Sequence, residues 1–143
     1  NSRFSAKNRE YMYKISQKYS PFSRKYLWYQ SYNLDIEKLE KCSEVLLGEH
    51  DFSNFCKSTS LKNENLCNIM KSSWNFSNDE IVFEIKSNRF LHHMVRMLVG
   101  TMIEVSKNRI SEENFYNMIH NIKMNKKVVT APSLGLYLYK VDY

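Results

Sequence analysis

Apolar positions along the chain change period several times, and each change marks an element. Between residues 9 and 16, Tyr11, Tyr13 and Ile15 alternate with Met12 and Lys14, a period of two that predicts a strand. Ser20-Pro21 then opens an irregular connection running to about Asn33. From Asn33 as N-cap, Ile36, Leu39, Cys42, Leu46 and Leu47 recur at helical spacing until Gly48 stops the segment. Asp51 to Phe55 is short and aromatic, and the polar stretch from Lys57 to Asn65 reads as an exposed loop. Leu66 to Phe76 and Glu80 to Lys86 predict a hairpin turning around Ser77-Asn78-Asp79, with Ile81, Phe83 and Ile85 on its inner face.

The run from Ser87 to Gly100 carries two stripes. On a helix, Arg89, His92, His93 and Arg96 fall at i, i+3, i+4 and i+7 and share one face, while Leu91, Met94, Val95, Leu98, Met102 and Ile103 cover another. A buried unpaired guanidinium is prohibitively costly, so the polar stripe must meet solvent, a carboxylate or an anionic ligand. Position adds a constraint. An arginine near a helix N-terminus opposes the macrodipole, so some other partner should hold Arg96 there.

Ser111 with Glu112 and Glu113 opens a further helix, with Phe115, Met118, Ile119 and Ile122 as its apolar stripe and an end among Lys123, Lys126 and Lys127. An alternating strand through Leu136, Leu138, Tyr139 and Val141 closes the chain. The order strand, helix, hairpin, two helices, strand predicts an α+β fold, with helices packed on one face of a mainly antiparallel sheet.

At 143 residues the chain has the length of a single domain, and an apolar share of 43% argues against disorder. No apolar run is long enough to span a bilayer and no leader opens the chain, so a cytoplasmic protein without membrane partners is expected; the start at Asn1 reads as a cut. Cys42, Cys56 and Cys67 are odd in number and lack Cys-x-x-Cys spacing, which suits reduced core residues and no metal. On a helix the adjacent His92 and His93 would point about 100° apart, unlike a chelating i, i+4 pair.

Charge is uneven. Residues 1–25 hold Arg3, Lys7, Arg9, Lys14, Lys18, Arg24 and Lys25 against Glu10 alone, which accounts for the whole net charge of +6. Phe4, Tyr11, Tyr13, Tyr19, Phe22 and, just beyond, Tyr26, Trp28 and Tyr29 are interleaved with them. Cations with aromatics suit phosphates and unpaired bases. The same pattern also describes an amphipathic strand with a charged outer face followed by a lysine-rich loop.

Four segments carry a resemblance. Arg3-Phe4-Ser5-Ala6 with Arg9-Glu10-Tyr11-Met12-Tyr13, then Leu46-Leu47-Gly48-Glu49-His50-Asp51-Phe52, the Arg/His run, and Ala131-Pro132 with Gly135-Leu136-Tyr137-Leu138 stand in collinear order over nearly the whole chain. Together they resemble the tRNA pseudouridine synthase A family. The resemblance implies isomerisation of uridine to pseudouridine in the tRNA anticodon stem-loop, at positions 38–40, by a homodimer that needs no cofactor. It puts Tyr11 at the active-site tyrosine that stacks on the target base, and Arg96 at the basic residue paired with the catalytic aspartate. Arg3, Lys7, Arg9, Arg89, His92 and His93 become RNA contacts; the two histidines match the family's motif, and helix packing or contact with the tRNA backbone suits them at least as well as a part in the chemistry.

One departure matters most. The family's nucleophile lies in a Gly-Arg-Thr-Asp segment, and the aspartates here are Asp35, Asp51, Asp79 and Asp142, none in that context. Residues 1–143 are therefore expected to be one domain, the C-terminal portion of a pseudouridine synthase catalytic fold, inactive alone. A second departure falls between Lys57 and Asn68, where many relatives carry an arginine in a substrate-facing loop and this chain has Lys57, Lys62 and several asparagines. Two further readings stay open: a non-catalytic RNA-binding or dimerisation module of the same fold, and a protein-interaction domain using exposed aromatics.

Overall fold

The computed structural model describes residues 6–57 and 64–143. The alternation of Tyr11, Tyr13 and Ile15 is realised in strand β1 (Asn8–Ser16), which pairs antiparallel with β5 (Glu80–Ser87). That register sets Tyr11 beside Ile85, Tyr13 beside Phe83 and Ile15 beside Ile81. Antiparallel to β5 runs β4 (Leu66–Ser77), which adds Trp74 next to Phe83, the two rings 4.9 Å apart. The hairpin turns through Asn78, whose φ of 53° suits an asparagine. Side chains two apart share a face, so these pairings build one apolar surface. Charges gather on the other face, where Lys71 Nζ lies 3.1 Å from Glu10 Oε1 and 3.3 Å from Glu84 Oε2.

Strand β3 (Gly48–Asp51) continues the sheet beyond β4. The other edge of β1 is shared. Its first half takes β6 (Leu136–Asp142) antiparallel, and its end takes β2 (Trp28–Tyr29) parallel. The strand β2 lies inside the connection read as irregular; two residues are too few to show a period, and the Gln30 N–H to Ser16 carbonyl bond of 2.8 Å holds them in place.

Helix α1 (Ile36–Val45) is capped by Asp35, not Asn33: Asp35 Oδ1 accepts from the Lys38 N–H at 3.2 Å. Helix α2 (Met94–Ser106) is buried along most of its length, and α3 (Glu112–Ile119) is capped by Ser111 Oγ accepting from the Asn114 N–H at 3.0 Å. The α3 helix stops short of Ile122, which is exposed. Asn121 takes a left-handed φ of 55° there, and its side chain donates to the Asp51 carbonyl at 3.0 Å, so chain reversal replaces another helical turn. Helix α1 packs on β4, α2 on β1, and the helices on one another. Leu39, Leu98, Met102, Phe115 and Met118 join Tyr13, Phe83 and Ile85 in one core.

The three cysteines are free, with Cys42 and Cys67 buried. Among the described residues, no helix is long and apolar enough to cross a membrane.

Candidate active site

The Arg/His run is not a single helical face. Helix α2 begins only at Met94, because His93 stands at its N-cap with φ 62° and ψ 12°, a left-handed conformation that cannot propagate an α-helix. Arg89 and His92 therefore lie in the approach to the helix. The adjacent histidine rings do not diverge as they would on a helix. Their centroids are 4.1 Å apart.

Arg96, in the first turn of α2, has the extra partner that the macrodipole argument requires. Its Nε donates to the Ala131 carbonyl at 2.8 Å, and the Ala131 N–H donates back to the Arg96 carbonyl at 2.9 Å. The Ala131 carbonyl dipole thus offsets the unfavourable placement of the guanidinium near the positive end of the helix. Arg96 Nη1 also lies 3.3 Å from Nε2 and 3.5 Å from Nδ1 of His93. Burial, then the positive charges of Arg96, His92 and Lys57, lower the His93 pKa from its ordinary value, favouring the neutral ring.

Tyr11, Phe90, Leu91, His93, Arg96 and Leu136 are among the residues lining one cavity of about 100 Å³. Tyr11 arrives from β1, Leu136 from β6, and the others from the entry and first turn of α2. The Phe90 ring meets Tyr11 edge-on, with centroids 5.0 Å apart and planes at 88°, which fixes the tyrosine's orientation. The cavity combines an aromatic surface with a cation.

Among the described residues, no aspartate lines this cavity. Asp35 caps α1, Asp51 Oδ1 accepts from the Ser53 N–H at 2.9 Å, Asp79 sits in the hairpin turn, and Asp142 pairs with Lys86 at 3.4 Å. Among the described residues, no carboxylate bridges Arg96, and no three His, Cys, Asp or Glu side chains form a metal cluster.

The remaining expected RNA contacts divide. Arg9 is exposed and, by strand alternation, shares Tyr11's face of β1. Lys7 is exposed where its N–H donates to the Asp142 carbonyl at 2.7 Å. Arg89 is engaged within the chain: its Nη1 donates to the carbonyls of Glu64 at 3.2 Å and Leu66 at 3.4 Å, pinning the start of β4. His92 is exposed, and its carbonyl accepts from the Lys57 N–H at 3.1 Å. Arg3 lies outside the described residues, as does the middle of the Lys57–Asn68 loop with Lys62.

Residues 43–143 match the family model for tRNA pseudouridine synthase. The chain belongs to the tRNA pseudouridine synthase family. It is 38% identical to a tRNA pseudouridine synthase A of Thermoanaerobacter sp. (strain X514) over 144 residues, covering 99% of this chain and 59% of that relative. The corresponding protein of Ehrlichia chaffeensis is also 38% identical with the same coverage, and that of Bacillus licheniformis is 34% identical over 99% of this chain and 58% of its own length. The chain thus spans about six-tenths of the length of the relatives it matches.

Within this family member, sequence reasoning did not place Phe90, Leu91, Met94, Val95 or Leu136 at the cavity. Leu91, Met94 and Val95 belong to the stripe that reads as core packing, Phe90 lies between the two stripes, and Leu136 comes from the far end of the chain. The Ala131 carbonyl that anchors Arg96 is a backbone atom, so no residue type announces it.

Proposed function

We propose that this chain is the C-terminal portion of the catalytic fold of a tRNA pseudouridine synthase, which isomerises uridine to pseudouridine in the anticodon stem-loop at positions 38–40. The observation that carries the reading is the cavity in which Tyr11 and Arg96 meet, with no carboxylate among its described lining residues. Tyr11 packs against a uracil turned out of its stack, and Arg96 holds a catalytic aspartate, supplied by the rest of the protein, ionised and aimed. That carboxylate assists cleavage of the bond between C1′ and N1; uracil rotates, C1′ bonds to C5, and the C5 proton leaves as N1 is protonated.

Arg3, Lys7, Arg9, Arg89, His92 and His93 contact RNA around this pocket in the same reading. The full-length protein works as a cytoplasmic homodimer without a cofactor, and the sheet is mainly antiparallel with the helices on one face. Residues 1–143 alone do not turn over. Full-length protein given tRNA tritiated at uridine C5 should release tritium from the anticodon stem-loop; failure to release any would reject the reading. The lack of an aspartate in the cavity also favours a second reading, a non-catalytic RNA-binding module of the same fold. That module would bind tRNA with a steep salt dependence and be indifferent to Arg96→Ala.

A further inference from the structure

We propose that His93 is a positioning residue for Arg96: its imidazole, presented by the left-handed N-cap of α2, is the surface against which the guanidinium rests in the cavity. The inference rests on the reading that Arg96 serves the reaction. Its structural part stands on three observations.

The first is backbone. Single left-handed residues are most often glycine or asparagine, and a histidine there is tolerated only against a steric cost between its Cβ and the backbone. N-cap side chains ordinarily repay their position by accepting from the first turn, yet His93 makes no side-chain cap bond. Capping does not explain the residue.

The second is the ring contact. Arg96 Nη1 is almost equally distant from both ring nitrogens, 3.3 and 3.5 Å. An in-plane hydrogen bond to one nitrogen would leave the other much farther away, so the guanidinium lies over the imidazole face. With Nε fixed on the Ala131 carbonyl at 2.8 Å, Arg96 has two supports that are not collinear. A flexible cation thereby becomes an oriented one.

The third is what surrounds the ring. Arg96 faces it from α2, His92 from the approach turn with centroids 4.1 Å apart, and Lys57 acts on it from the segment after Phe55. Tyr11 and Phe90 also line the cavity, which holds no carboxylate among the described residues. Every charged or titratable neighbour that acts on the ring therefore disfavours imidazolium. Acid would set a second positive charge against Arg96 and drive the guanidinium off its support.

The test uses full-length protein with His93→Ala and His93→Asn, since asparagine tolerates the left-handed backbone, keeps a planar group and does not titrate. Single-turnover rates measured at saturating tRNA, where any share of His93 in RNA affinity no longer limits the rate, should fall about tenfold or more in His93→Ala. His93→Asn should recover part of that loss. Its rate should also stay flat as the pH is lowered below the ordinary histidine value, where the wild-type rate declines. A wild-type rate in His93→Ala, or an unchanged acid decline in His93→Asn, would overturn the proposal. A second readout needs no activity: by NMR titration, Arg96→Ala should raise the His93 pKa toward the ordinary histidine value, and an unmoved pKa would also overturn it. A wild-type protein inert toward uridine would instead reject the assigned reaction, leaving the titration to decide whether Arg96 rests on His93.

Discussion

Gly100 lies so close to Val129 that a Cβ on the glycine would come within 2.1 Å of the Val129 carbonyl oxygen. Nearby, Thr101 Oγ1 accepts from the Val129 N–H at 3.2 Å. The segment leading to β6 is thus seated directly on the α2 backbone, and this seat delivers the Ala131 carbonyl to Arg96. Gly100→Ala should destabilise the fold by at least about 2 kcal/mol, because rigid backbone and not a movable side chain opposes the added methyl. Urea unfolding measures it, as a lower midpoint with unchanged slope.

Tyr13 ties the same segment from the sheet side. Buried at 0% exposure, its hydroxyl donates to the Pro132 carbonyl at 2.5 Å. Tyr13→Phe keeps the ring and removes the bond, so a loss of about 1 kcal/mol is expected. Because Ala131 is the next residue back, crystals of the variant should show the Arg96–Ala131 distance lengthened.

Alkaline pH should unfold the protein through groups held protonated in the core. Burial pushes the Cys42 thiol up to about 12 and the Cys67 thiol up to about 11, from an ordinary value near 9, and raises the Tyr13 hydroxyl above its ordinary 10. The unfolded chain releases these protons first. Their stabilisation is therefore complete below about pH 9 and lost as pH rises, by about 1.4 kcal/mol per pH unit for each ionising group. Stability measured between pH 8 and 11 should fall with a slope that Cys42→Ala lowers by about one proton.

Where an element's pattern is local, the sequence displays it. The alternation of Tyr11, Tyr13 and Ile15 and the Asn78 turn between β4 and β5 are read directly from neighbouring residues, as is the Ser111 cap. The Arg/His run fails for a physical reason: positions at i, i+3 and i+4 fit a helix, but the left-handed backbone at His93 delays that helix to Met94. Histidine gives no warning of this, as glycine would. Strand β2 is too short to carry a period, and it exists through its pairing with Ile15 and Ser16. The cavity is legible only in part. Tyr11 and Arg96 stand out by type and motif, whereas Leu136 and the Ala131 carbonyl reach them through folding alone.

The central claim is that Arg96 acts on a carboxylate during the reaction and is not merely a tether between α2 and Ala131. Arg96→Ala in the full-length protein, measured by single-turnover tritium release from C5-labelled tRNA, tests it most directly. The rate should fall by about a hundredfold or more while tRNA affinity changes little and the protein stays folded, its urea midpoint lowered only by the lost Ala131 bond. A folded Arg96→Ala protein that releases tritium at the wild-type rate would contradict the account.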